Sequence, residues 1–260
     1  MLPLIQERMS AKTKICPLCG GAGWRPIERE GLRAVETCDC RKVQRDQSWW
    51  MDRARIPRRH RQCDLANFEV LDESRESLFY ALGKARLFVE EYPLSEKGLL
   101  FLGNPGVGKT HLAVAIVKHL MTQKGAECLF VSYQELLQRI RDSYDPVSLS
   151  TESQVLHPVL NTEVVVIDDL GANRITDWVE DTITYILNYR YNEQKTTILT
   201  SNLPDTADEV SEQGSGGKYG LVDTLTKRIG IRVRSRLYEM CQIVKIGAKD
   251  FRQTVQSHSH

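Results

Sequence analysis

Eight consecutive residues, Gly103-Asn104-Pro105-Gly106-Val107-Gly108-Lys109-Thr110, constrain this chain more than any other feature. They fit the pattern G-x-x-x-x-G-K-[ST], which carries meaning only between a strand and a helix. That context is present. Leu99-Leu100-Phe101-Leu102 reads as a short apolar strand, and His111 to Lys124 as a helix with Leu112, Ile116 and Leu120 on one face and Gly125 as its stop. In such a turn the glycines let successive backbone N–H groups close around phosphates, and the helix N-terminus adds a favourable dipole. Lys109 is then the cation for the β- and γ-phosphates, and the Thr110 hydroxyl a Mg²⁺ ligand. Gly103 to His111 form the nucleotide-binding segment, and the implied ligands are ATP and Mg²⁺.

Magnesium needs a second acid at the end of a neighbouring strand. Val164-Val165-Val166-Ile167 is a fully apolar run ending in Asp168 and Asp169. Asp168 is the Mg²⁺-side carboxylate, and Asp169 is placed to orient or deprotonate the attacking water. Thr196 to Thr200 is a further strand, and the following Asn202 points to the same sheet edge, where a neutral side chain can hold that water. Strands are also expected at Glu127 to Tyr133 and Gln242 to Ile246, and helices at Gln134 to Tyr144 and Asp181 to Asn192. This alternation implies an α/β fold with a parallel sheet flanked by helices.

The first 62 residues read differently, as a separate region ahead of an ATPase domain spanning 63–260. Cys16, Cys19, Cys38 and Cys40 cluster there, whereas Cys63, Cys128 and Cys241 are scattered. An odd cysteine total beside a nucleotide motif argues for a reducing, cytoplasmic setting, where clustered thiols read as a metal site. Four thiolates suit tetrahedral Zn²⁺, with Cys63 or His60 as alternative ligands. Residues 41–56 read as a basic helix stopping at Pro57. From Arg41 to Gln62 there are eight Lys or Arg against two Asp, although the whole chain carries a net charge of only +1. Trp49, Trp50 and Met51 lie among these arginines, a mixture suited to binding a partner. No apolar run is long enough to span a membrane.

Several of these stretches together resemble a known family. GNPGVGKT, VVVIDDLGA (164–172), ILTSN (198–202) and the stretch Lys227 to Leu237 are similar to the AAA+ ATPases of the DnaC/DnaI-type replicative helicase loaders. The lead-in from Ile56 to Phe68 resembles theirs too, and the IstB transposition helpers are close relatives. The resemblance implies an AAA+ P-loop fold over residues 60–255, with Asn202 as the sensor-1 residue. It also implies that Arg236 is an arginine finger reaching a neighbouring copy's nucleotide, with Arg232 and Arg234 close by, and that Arg252 is the sensor-2 arginine. Implied partners are a hexameric replicative helicase gripped by the N-terminal zinc module, single-stranded DNA, and other copies of the chain. Arg139 and Arg141 are further DNA-contact candidates. Many AAA+ proteins carry Glu after the magnesium Asp. Asp169 is one methylene shorter, as in the DnaI-like branch, which implies a slow ATPase that behaves as a switch.

Overall fold

Residues 24–29, 32–37, 47–70, 75–148, 150–173, 175–205 and 223–251 are described by the structure, a computed structural model. The chain divides into two compact units, 1–47 and 48–260. In the first, β1 (Trp24–Arg29) and β2 (Leu32–Thr37) form an antiparallel hairpin that pairs Trp24 with Thr37. No hairpin is legible there in the sequence.

The second unit begins within α1 (Gln47–Arg53), followed by a short turn at Arg58–His60 and by α2 (Arg75–Glu91). Then come β3 (Gly98–Gly103), α3 (Lys109–His119), β4 (Cys128–Ser132) and α4 (Tyr133–Asp142). The chain continues through α5 (Glu152–Asn161), β5 (Val164–Asp168), α6 (Asp177–Asn192) and β6 (Thr196–Ser201). It closes with α7 (Leu225–Ile229), α8 (Ile231–Met240) and β7 (Cys241–Ile246).

The five strands of this unit form a parallel sheet in the order β4-β5-β6-β3-β7. Both faces are covered, which is why the central strands lack polar alternation. Leu99, Phe101, Val164, Val166 and Ile198 pack towards α1, α2 and α3. Leu100, Leu102, Val165, Ile167 and Leu199 point the other way, against α4 to α8. Each such side chain contributes about 1.5–3 kcal/mol by leaving water. Parallel register also aligns the strand ends, since Ser132 pairs with Asp168, Leu102 with Ser201 and Gly103 with Ile246. Ligands of open α/β sheets bind outside these carboxyl ends.

Three elements depart from the sequence reading. The basic helix was assigned to the N-terminal region, yet Met51, Ala54 and Ile56 are buried in the second unit's core with Trp50 packed against it. The carbonyl of Ala54 also accepts from Phe130 N at 2.7 Å, so this stretch is built into the second unit. Helix α3 stops at His119 and continues as a wider π-type turn to Lys124. Helix α5 was not anticipated. Pro158 lies inside it, but Thr151 and Gln154 close a capping box at its start, which supplies partners for the first exposed N–H groups. Among the described residues no helix is long and apolar enough to cross a membrane.

Candidate nucleotide site

The loop from Gly103 to Thr110 joins β3 to α3 at the carboxyl edge of the sheet. Gly106 and Gly108 adopt φ of +80° and +96°, a region that L-residues rarely enter. A Cβ at Gly108 would also lie 2.5 Å from the Phe68 ring, so geometry and space both demand glycine there. Lys109 is 4% exposed, and its ammonium donates to the carbonyls of Gly103 and Asn104 at 2.7 Å each. The cation is thus held inside the curl of the loop.

Thr110 Oγ1 donates to Asp168 Oδ1 at 2.9 Å, bringing together the two oxygen donors assigned to Mg²⁺ from sequence. Thr200 Oγ1 donates to the same oxygen at 2.7 Å. Among the described residues Asp168 Oδ2 has no hydrogen-bond partner, which leaves one carboxylate oxygen for a ligand. Hard oxygen donors of this kind fit a magnesium ion. Burial pushes the Asp168 carboxyl up from its ordinary range and the negative charge of Asp169 adds to this, opposed by the Thr200 and Thr110 hydroxyls and by Lys109. A bound cation would relieve the same penalty.

Asp169 has a φ of +58°, a left-handed conformation that costs an L-residue about 1–2 kcal/mol. Its surroundings impose this shape. The Asp169 N–H donates to Thr200 Oγ1 at 2.9 Å, and Leu170 N donates to the Thr200 carbonyl at 2.8 Å. Asn202 Nδ2 then donates to Asp169 Oδ1 at 2.8 Å, fixing the carboxylate beside the loop. Thr200 thereby ties both acids to β6, a part that sequence reasoning missed. Its hydroxyl is fully buried and so needs partners, but in a strand that reads TTILTS it does not stand out from the other hydroxyls.

Lys109, Thr110, Asp169 and Asn202 line one cleft of about 500 Å³. The lead-in segment lines it as well, with Arg59, His60 and Cys63, which sequence reasoning does not place in the nucleotide site. Next to it lies an apolar pocket of about 150 Å³ lined by Phe68, Leu78, Val107 and Phe251. His111 borders both, stacks edge-on against Phe68 at 5.3 Å and donates to the Asp64 carbonyl at 2.9 Å.

The arginines of α8 lie away from this cleft. Arg236 donates to Asn188 Oδ1 at 2.8 Å, pairs with Glu239 and lies 4.4 Å over the Tyr191 ring. Arg234 is engaged differently, in a two-pronged pair with Asp205 at 2.7 and 2.8 Å. Burial alone would raise the Asp205 carboxyl, but Arg234 and Tyr238 outweigh it and hold it below its ordinary value. Arg232 is exposed. Arg252, Cys16, Cys19, Cys38 and Cys40 lie outside the described residues. Among the described residues no cluster of three or more His, Cys, Asp or Glu is placed to hold a metal ion by itself.

The chain matches the family described as IstB-like ATP binding protein over residues 34–259. It is 27% identical over 178 residues to the replicative helicase loader DnaC of Escherichia coli (strain K12), covering 68% of this chain. The chain spans 64% of the length of that relative. Among solved structures it resembles a DnaC helicase loader, at 35% identity and a TM-score of 0.60, covering 73% of this chain and 99% of that one. It also resembles DnaI, at 26% identity and a TM-score of 0.56, covering 75% and 93%. With a glycine loop and two strand-end acids at one edge of a parallel sheet, and a family match across most of its length, this protein belongs to the family of IstB-like ATP binding proteins.

Proposed function

We propose that this chain is an ATP-dependent loader of a replicative DNA helicase onto single-stranded DNA. The observation that carries the reading is the combination of the cleft at Lys109, Thr110, Asp169 and Asn202 with likeness to relatives named as helicase loaders. ATP would lie with its base in the apolar pocket beside Phe68 and Val107 and its phosphates on the Gly103–Thr110 loop. Lys109 neutralises phosphate charge there without rearrangement, since its ammonium is already held in the loop. Thr110 and Asp168 would hold Mg²⁺, which supplies charge neutralisation at the phosphates when bound. Asp169 and Asn202, hydrogen-bonded to each other, orient the attacking water. The short arm of Asp169 sits on a fixed, strained backbone, so turnover is expected to be slow. Self-association would place Arg236 of one copy at the nucleotide of the next, and Arg252 would act as sensor 2.

The first unit would grip the helicase. In sequence its hairpin is preceded by Cys16 and Cys19 and followed by Cys38 and Cys40, and four thiolates would suit a shared Zn²⁺. Single-stranded DNA has a basic and aromatic surface available in the second unit. Arg141 lies 4.7 Å over the Trp178 ring, whose indole N–H faces half-exposed Tyr144 at 3.4 Å. Stacking platforms flanked by arginine bind nucleic acid without sequence preference.

The test is recovery of partners from a lysate of the source cell by tagged protein carrying Asp169→Ala, with ATP present. A parallel variant lacks residues 1–47. The loader reading expects a replicative helicase with the full chain and none with the truncated one. Recovery of a transposase, or of no helicase despite intact ATP binding, would favour instead the transposition helper or an ATP-locked adaptor.

A further inference from the structure

The lead-in segment is bound to the nucleotide site more tightly than a linker requires. Helix α3 springs from the phosphate loop, and three of its side chains grip the backbone around Asp64. Lys118, 6% exposed, donates to the carbonyls of Cys63 at 2.7 Å and Arg61 at 3.2 Å. Its ammonium also lies 3.7 Å from the Asp64 carboxylate, which His119 meets at 3.3 Å. His111 holds the Asp64 carbonyl. A buried ammonium satisfied by backbone carbonyls is costly to detach, so the Arg58–His60 turn is fixed relative to the loop.

Arg59 and His60 of that turn line the same cleft as Asp169 and Asn202. Arg59 Nε donates to His60 Nε2 at 2.9 Å, and His60 Nδ1 lies 3.9 Å from Cys63 Sγ. Because Nε2 accepts, the ring is neutral with its proton on Nδ1, and burial together with the Arg59 charge favours that form. Arg59 is exposed, and among the described residues its two terminal nitrogens have no hydrogen-bond partner or carboxylate. A steered guanidinium with two open N–H₂ groups, lining the same cleft as Asp169 and Asn202, suits a phosphate oxygen pair. The apolar pocket by Phe68 takes the other end of the ligand, so the Arg59 side is the terminal-phosphate side.

We propose that Arg59, positioned by His60, binds the terminal phosphate of ATP held by its own chain and makes the lead-in segment discriminate ATP from ADP. This rests on the ATP reading of the cleft. It links the triphosphate state to α1, which leads into the same turn and whose Met51, with Ala54 just after it, is buried in the core. The positioning role belongs to His60, and the phosphate contact to Arg59.

The test is calorimetric titration of the full chain with Mg²⁺ and either a non-hydrolysable ATP analogue or ADP. Arg59→Ala is expected to weaken the analogue about tenfold while ADP stays within about twofold, as expected when one charged contact to one phosphate is lost. Arg59→Lys should recover part of the loss, and His60→Ala should reduce the ATP-to-ADP preference less than Arg59→Ala does. Equal weakening of both nucleotides, or no change in either, would overturn the proposal while leaving the ATP site intact. A parent chain that binds neither nucleotide would instead overturn the ATP reading and this inference with it.

Discussion

Asp168→Asn is expected to reduce ATP turnover by more than about a hundredfold, as measured by phosphate release under saturating ATP and Mg²⁺. The stability of the chain should stay within about 1 kcal/mol of the parent. The two effects separate because the carboxylate has two jobs. Its Oδ1 accepts from Thr110 and Thr200, and an asparagine oxygen accepts both bonds equally well. Only the negative charge and the second carboxylate oxygen are lost, and those are what a magnesium ion at this buried position needs. Removing the charge also ends the desolvation cost that raises the Asp168 pKa, so the apo chain has no reason to weaken. Near-parental turnover in the variant would remove Asp168 from the reaction.

The largest expected effect on stability lies at the far end of the sheet. Arg190, fully buried on α6, has no carboxylate partner among the described residues. Its guanidinium donates instead to the carbonyls of Val159, Leu160, Thr162, Glu163 and Thr196, while Nε donates to Thr197 Oγ1 at 2.9 Å. Burial pushes its pKa down to about 9, which still leaves it charged at neutral pH. The guanidinium therefore ties the last carbonyls of α5 to the starts of β5 and β6, where a helix end otherwise leaves acceptors unmet. Arg190→Met keeps much of the volume and strands these carbonyls. The expected loss is about 3–5 kcal/mol of unfolding free energy in urea titrations, with Arg190→Lys intermediate. A loss below about 1 kcal/mol would mean that water from the adjoining groove, which Arg190 borders, replaces the guanidinium.

The strand ends that form the candidate site are legible in the sequence because they are contiguous motifs. Gly103 to Thr110 and Val164 to Asp169 each combine an apolar run with polar residues at its end, and parallel register then puts those ends side by side. Asn202 was readable for the same reason. What the sequence hid were interactions between distant segments. Thr200 matters because it bonds to two residues on another strand, and nothing in Ile198 to Asn202 alone reveals that. Within the lead-in Ile56 to Phe68 the sequence assigns Arg59 no role and His60 only that of an alternative zinc ligand, and it is the clasp of His111 and Lys118 on residues 61–64 that holds them at the cleft. The basic helix was misassigned for a related reason. Its arginines dominate the composition, whereas Met51, Ala54 and Ile56 on the other face decide its packing. Nothing in the sequence marks Arg190, since a cage of backbone carbonyls leaves no trace in side-chain pattern.

The most direct test of a loader is transfer of a helicase onto DNA. Purified full-length chain, the replicative helicase of the same cell and circular single-stranded DNA would be mixed with ATP and Mg²⁺, and helicase co-eluting with DNA on gel filtration measured. The expected result is a several-fold gain in DNA-bound helicase that requires both this chain and ATP and disappears with Asp168→Asn. Equal helicase on the DNA with and without the chain, although the chain binds ATP, would contradict the loader account.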